Sequence, residues 1–153
     1  MVDVNFSTGP LSSNQEALLA KQWEEHAKSL EDRLMLVGDL DKTMRIARNA
    51  FESLVEALDE QRAAEEKLAQ NSHDATAMRA SSNGRVHASD AVADLFFELK
   101  KSGADEETSL HLTATLAGKA INSYRTATGF DKGQIPSELV GVTKSSSMVV
   151  GMA

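Results

Sequence analysis

The sequence predicts a mainly α protein: an elongated four-helix arrangement made of two helical hairpins, with short extended or β-like segments at the N- and C-terminal ends. Three observations predict it. Apolar residues recur at alternating spacings of four and three over most of the chain, which collects them on one face of a helix. Aromatic residues amount to 5% and prolines to two, a composition that favours helix. Each periodic run is also bounded by residues that start or stop helices. At 153 residues the chain has the length of one domain, able to bury a single core without staples.

The N-terminal arm, residues 1–11, comes first. Val2, Val4 and Phe6 alternate with polar residues, the period of a half-buried strand, until Ser7, Thr8, Gly9 and Pro10 break it. A helical hairpin over 12–71 follows. Ser13 and Glu16 have the spacing of a capping box, in which hydroxyl and carboxylate each satisfy a free backbone amide. Leu19, Trp23, Ala27, Leu30, Leu34 and Val37 then trace one face, and Gly38 offers a stop. Leu40, Met44, Ala47, Phe51, Leu54 and Leu58 keep the four-three alternation of a coiled-coil seam, with Asp39 or Asp41 as cap. The second helix is therefore expected to pair with the first. Past Leu58 the seam passes through Gln61 and Glu65, so this end is expected to project beyond the core.

Residues 72–88 read as a flexible connection: they are small and polar, Asn83-Gly84 is a turn signal, and only a helical turn near 75–80 is expected. A second helical pair is expected over 89–129. Ser89 caps a helix carrying Val92, Leu95, Phe96 and Leu99, with Lys100 and Lys101 complementing the dipole of its last turn and Gly103 closing it. Asp105, Glu106 and Glu107 open the next, whose seam is Leu110, Ala114, Ala117, Ile121 and Tyr124, ending at Gly129. In the C-terminal tail, 130–153, glycines, a proline and β-branched residues replace the helical pattern. Leu139, Val140 and Val142 form one apolar run, and Met148, Val149, Val150 and Met152 another.

The net charge of −7 repels a phosphate backbone, and no basic stripe offsets it, so direct nucleic-acid binding is not expected. The absence of cysteine excludes disulfides, thiolate metal sites and thiol catalysis, and leaves both a cytoplasmic protein and a component of an exported or viral particle open. No run approaches the roughly 18 to 20 apolar residues of a membrane-spanning helix, and the start lacks the basic-then-apolar order of a secretory signal.

No residue set reads as catalytic, cofactor-binding or metal-binding. His26, His73, His87 and His111 are scattered and none completes a Glu-x-x-His pair. There is no nucleophile elbow, phosphate loop or dinucleotide fingerprint. Glu24 and Glu25 beside His26, and Asp59, Glu60, Glu65 and Glu66 around Arg62 and Lys67, read as solvated helix faces with short-range charge pairs. Trp23 and Tyr124 lie on apolar stripes and read as core. His111, near the start of the fourth helix, resembles in setting the histidine of histidine phosphotransfer domains, which are acidic four-helix bundles; the resemblance implies an imidazole that accepts a phosphoryl group. Those domains usually follow the histidine closely with lysine and glycine, whereas here Gly118 and Lys119 stand seven and eight positions on.

A five-residue strand cannot satisfy its backbone alone in water. The apolar ends, Val2, Val4 and Phe6 with Leu139, Val140, Val142, Met148, Val149, Val150 and Met152, are therefore the expected contact residues. The function expected is a non-enzymatic structural or adaptor subunit of a homo-oligomer or larger particle of phage, secretion or filament type, with other copies or other assembly proteins as partners. The alternative is a cytosolic helical binding module, chaperone-like or a histidine phosphotransfer carrier.

Overall fold

Four helices follow one another: α1 (Ser13–Met35), α2 (Leu40–Gln70), α3 (Ala75–Lys101) and α4 (Glu106–Thr128). The structure is a computed structural model and describes residue 4 and residues 11–130. The mainly α, four-helix reading stands, and among the described residues there is no strand. None of the four helices is long and apolar enough to cross a membrane.

Four-residue turns join the helices, which forces antiparallel neighbours. The first and third turns lie side by side: a Cβ built on Gly38 would stand 3.4 Å from the Ser102 carbonyl oxygen, and one on Gly103 3.3 Å from that of Val37. These two turns define one end of the bundle, called here the loop end. The α2–α3 turn and the end of α4 lie at the other. α2 and α4 each pack on all three other helices, and α1 and α3 barely touch.

Each helix begins on a side-chain cap. Asp39 accepts from the amides of Asp41 and Lys42, Asp74 from Ala77, and Asp105 from Thr108. The cap of α1 is Ser12 rather than Ser13. Ser12 has extended backbone, its hydroxyl accepts from the Gln15 amide, and the Gln15 side chain accepts in return from the Ser12 amide. A neutral amide thus fills the role expected of Glu16, one residue earlier. α4 closes on Gly129, whose φ of 74° is left-handed and whose amide bonds to the Arg125 carbonyl.

The largest departure from expectation is the segment 72–88, which is not a flexible connection. α3 starts at Ala75, capped by Asp74, and Ser89 lies within it. The reason is packing at short range. Ala57 and Ala64 of α2 are buried together with Ala77, Gly84, Ala88 and Ala91 of α3, so the two backbones approach closely with little side chain between them. Gly84 works as a contact point and not as a turn: a Cβ there would fall 2.7 Å from Gln61 Cγ and 3.0 Å from the Ala57 carbonyl oxygen. The most extensive pairing in the fold is consequently α2 with α3, not α1 with α2. Gln61 and Ala64, expected to project beyond the core, are buried beneath α3.

The core runs through Leu19, Trp23, Ala27, Leu30 and Leu34 of α1, all buried as expected, against Ala47, Phe51, Leu54 and Leu58 of α2. Trp23 packs on Phe51 with its ring tilted by 41°, at 5.5 Å between centroids. On α4 the buried face is Leu112, Leu116, Ala117, Ala120, Ser123 and Tyr124, while Leu110 and Ala114 of the expected seam are only half-buried. A helix in contact with three others buries a broader face than a two-helix seam requires. Phe96, expected in the core, is half-buried under Lys100, whose ammonium lies 5.4 Å from the ring centroid.

Candidate functional site

Two open clefts mark the two ends of the bundle. At the loop end, Arg33, Leu36 and Val37 from the close of α1 face Gly103, Ala104 and Asp105 of the third turn. Glu107, Thr108, His111 and Leu112 of α4 complete a cleft of ≈ 520 Å³. Its floor is apolar, from Val37, Ala104 and Leu112. Around it stand the charged Arg33, Asp105 and Glu107, with the His111 imidazole. Leu36 is 86% exposed and Met35 beside it 54% exposed. The sequence pattern cannot hold them inside, because Leu30, Leu34 and Val37 already fill the inward positions of that turn. Asp105 caps α4 here, and the Thr108 amide, with its hydroxyl as a lesser contribution, holds the Asp105 carboxyl below its ordinary range.

At the opposite end, Arg62, Glu65, Glu66, Leu68 and Ala69 of α2 meet Thr128, Gly129 and Phe130 at the close of α4, around a cleft of ≈ 480 Å³. Behind it lies a polar cluster of Asp59, Arg62 and Glu66, which sequence reading assigned to a solvated face, and Tyr124, which it placed in the core. Asp59 is fully buried. Its Oδ1 accepts from the Tyr124 hydroxyl at 2.7 Å and from Arg62 at 2.9 Å through Nη2 and 3.2 Å through Nε. Arg62 Nε also reaches the Tyr124 oxygen at 2.8 Å, and its Nη1 pairs with Glu66 at 2.9 Å. The Glu66 pair is the short-range partner the sequence anticipated. The Asp59–Tyr124 bond spans 65 positions and leaves no trace in local spacing.

The charges in this cluster reinforce one another. Burial first, then bonding to and the charge of Asp59, push the Tyr124 hydroxyl above its ordinary range and keep it a donor. Desolvation alone would lower Arg62, yet its bonds to Tyr124 and Asp59 outweigh it and hold the guanidinium higher still. Asp59 Oδ2 is buried with no hydrogen-bond partner. The cluster faces the interior between α2 and α4 and fastens one helix to the other.

His26, expected on a solvated face, is half-buried between α1 and α4. It shares a hydrogen bond of 2.7 Å with Ser123 and sets its ring edge-on to Phe51 at 6.0 Å. His87 pairs with Glu60 at 2.8 Å across the α2–α3 surface. Among the described residues no three histidine, aspartate or glutamate side chains converge as a metal site would require.

Of the expected contact residues, Val4 alone lies among the described residues, partly buried against the core of its own chain. Val2, Phe6, Leu139, Val140, Val142, Met148, Val149, Val150 and Met152 lie outside them. What sequence reading missed is the loop-end cleft, because its floor gathers from two turns far apart in the chain. The signal that could have found it was Met35-Leu36-Val37, three consecutive apolar residues where a helix ends. No family model matches the chain, and neither a curated protein nor a solved structure matches it.

Proposed function

We propose that the protein is a non-enzymatic structural or adaptor subunit that assembles with copies of itself or with other proteins, in a homo-oligomer or a larger particle of phage, secretion or filament type. One observation carries this reading: Leu36, 86% exposed, adjoins Met35 and an apolar-floored cleft at the loop end. Contiguous apolar surface of this kind, rimmed by charge, marks sites where another protein docks. The apolar runs at 139–142 and 148–152 supply the complementary chemistry within the same sequence. The test is deletion of residues 145–153 followed by light scattering. The full chain is expected to gain mass with concentration and the shortened chain to lose that gain. An unchanged mass in the shortened chain rejects tail docking.

A second reading is favoured by the position of His111, which lines the same cleft as Arg33. A cation close to an accessible imidazole suits phosphoryl acceptance, whereas Asp105 and Glu107 on the same rim oppose a phosphoryl group. Incubation with acetyl phosphate decides it. Acid-labile label that disappears in His111→Gln supports a phosphocarrier, and absence of label in the wild type removes that reading.

A further inference from the structure

Resting on the assembly reading above, we propose that the loop-end cleft is the seat of the apolar run 148–152 of a second copy, so that copies join head to tail. The geometry behind this is the separation of the two elements. The cleft lies where α1 ends and α4 begins, and the chain leaves α4 after Thr128 at the opposite end of the bundle. α4 ends at Thr128 and lines the cleft with Glu107 to Leu112, which places the exit about 25 to 30 Å from the cleft at ~1.5 Å per residue.

The chain beyond Phe130 is long enough to bridge between molecules. Nineteen positions separate Phe130 from Val149, a reach of up to roughly 60 Å when extended. Returning to its own cleft would take the segment back along the flank of α4. That flank presents Asn122, Arg125 and Thr126, all exposed, and only Leu110, Ala114 and Ile121, each already half-buried, as apolar surface to set against the ordering of the backbone. The cleft of a copy placed end-on lies directly ahead of the exit and offers Leu36, Val37, Ala104 and Leu112.

The chemistry of the occupant also fits. Met148, Val149, Val150 and Met152 are uncharged and unbranched or β-branched, and the nearest charge before them is Lys144. That lysine would lie on the approach to the acidic rim made by Asp105 and Glu107. Because donor and acceptor surfaces differ and sit at opposite ends, the contact is heterologous, and it propagates as an open chain unless the rotation between copies closes a ring.

The experiment pairs two variants of the full chain. Leu36→Glu changes a side chain that is almost wholly in solvent, so the fold is not at stake. Val149→Asp with Val150→Asp disables the donor and leaves the cleft intact. Each variant alone is expected to scatter as a single chain of 16.5 kDa. An equimolar mixture is expected to form a species of two chains and nothing larger, since only one productive contact remains between them. If Leu36→Glu assembles like the wild type while the donor variant does not, this cleft is the wrong seat and the assembly reading survives. If the donor variant assembles like the wild type, the run 148–152 is not the donor, so this proposal falls while the assembly reading survives. A wild type that stays a single chain at every concentration, with its tail protected from protease by Leu36 and exposed in Leu36→Glu, overturns docking between copies in favour of docking within one.

Discussion

At the scale of single residues, the strongest determinant is Asp59, and its energetics can be separated into two parts. A carboxylate enclosed with Arg62 and Tyr124 gains from charge-assisted bonds but has surrendered its water, so the cluster need not add net stability. Removing one member is a different matter. Asp59→Ala strands a half-buried guanidinium and a buried hydroxyl and is expected to lower the unfolding free energy by about 3 to 5 kcal/mol, read from the urea midpoint. Asp59→Leu with Arg62→Met and Tyr124→Phe is expected to cost less than that single change, because it removes every stranded partner together. A triple variant less stable than Asp59→Ala would contradict this. His26 gives a pH dependence of defined sign. Burial, then Lys119, hold its imidazole below the ordinary 6.5, against a smaller upward pull from Glu25. The unfolded chain therefore takes up the proton first, and the stability tied to neutral His26 is complete above pH 6.5 and lost as the pH falls through the native value. His26→Gln, which keeps a partner for Ser123, is expected to flatten this part of the stability curve in urea titrations below pH 6.5.

At the scale of elements, α1 and α2 were legible because one apolar residue per turn suffices to mark a helix packed on one side. Leu19 through Leu34 and Ala47 through Leu58 are buried as their spacing demands. The first half of α3 was not legible. It packs through Ala77, Gly84 and Ala88, and a pattern that looks for large apolar residues does not register a face made of small ones. Asn83-Gly84 then reads as a turn on propensity, although the tertiary approach of α2 decides the outcome. Gly84→Ala separates the two influences. On an isolated helix the change would stabilise by about 0.5 to 1 kcal/mol, whereas here the added methyl meets Gln61 Cγ and the Ala57 carbonyl. Overpacking of that kind costs roughly 1 to 3 kcal/mol, so a net loss is expected in thermal or denaturant unfolding. A gain would mean that α2 and α3 are not in close contact at this level.

At the scale of the whole molecule, the four helices share one apolar cluster reaching from Leu11 to Tyr124, and unfolding is expected to be a single cooperative event. The one tryptophan makes this measurable. Trp23 lies on Phe51 between α1 and α2, so its fluorescence follows that part of the core while far-ultraviolet circular dichroism follows all four helices. The two transitions are expected to coincide in urea, and a separate, later loss of helix would show α2 and α3 standing as an independent pair. The count of helices was visible in the sequence, but the end-clefts were not, since each sets residues of α4 beside residues of α1 or α2 far earlier in the chain. The buried carboxylate has a further effect on how such molecules meet. The apolar positions of a helix repeat from turn to turn, so they do little by themselves to fix the depth at which α4 lies along α2. A displacement of one turn, however, sets the tyrosine hydroxyl against Val55 or Ala63 and takes from Asp59 the bond that Tyr124 donates, leaving Arg62 alone to serve it. Neighbouring sliding positions are thereby removed, and exchange of α4 between colliding chains must rebuild the same depth of insertion before it gains anything. Growth by trading helices is disfavoured for this reason, and in the proposed assembly each copy would keep its own body intact.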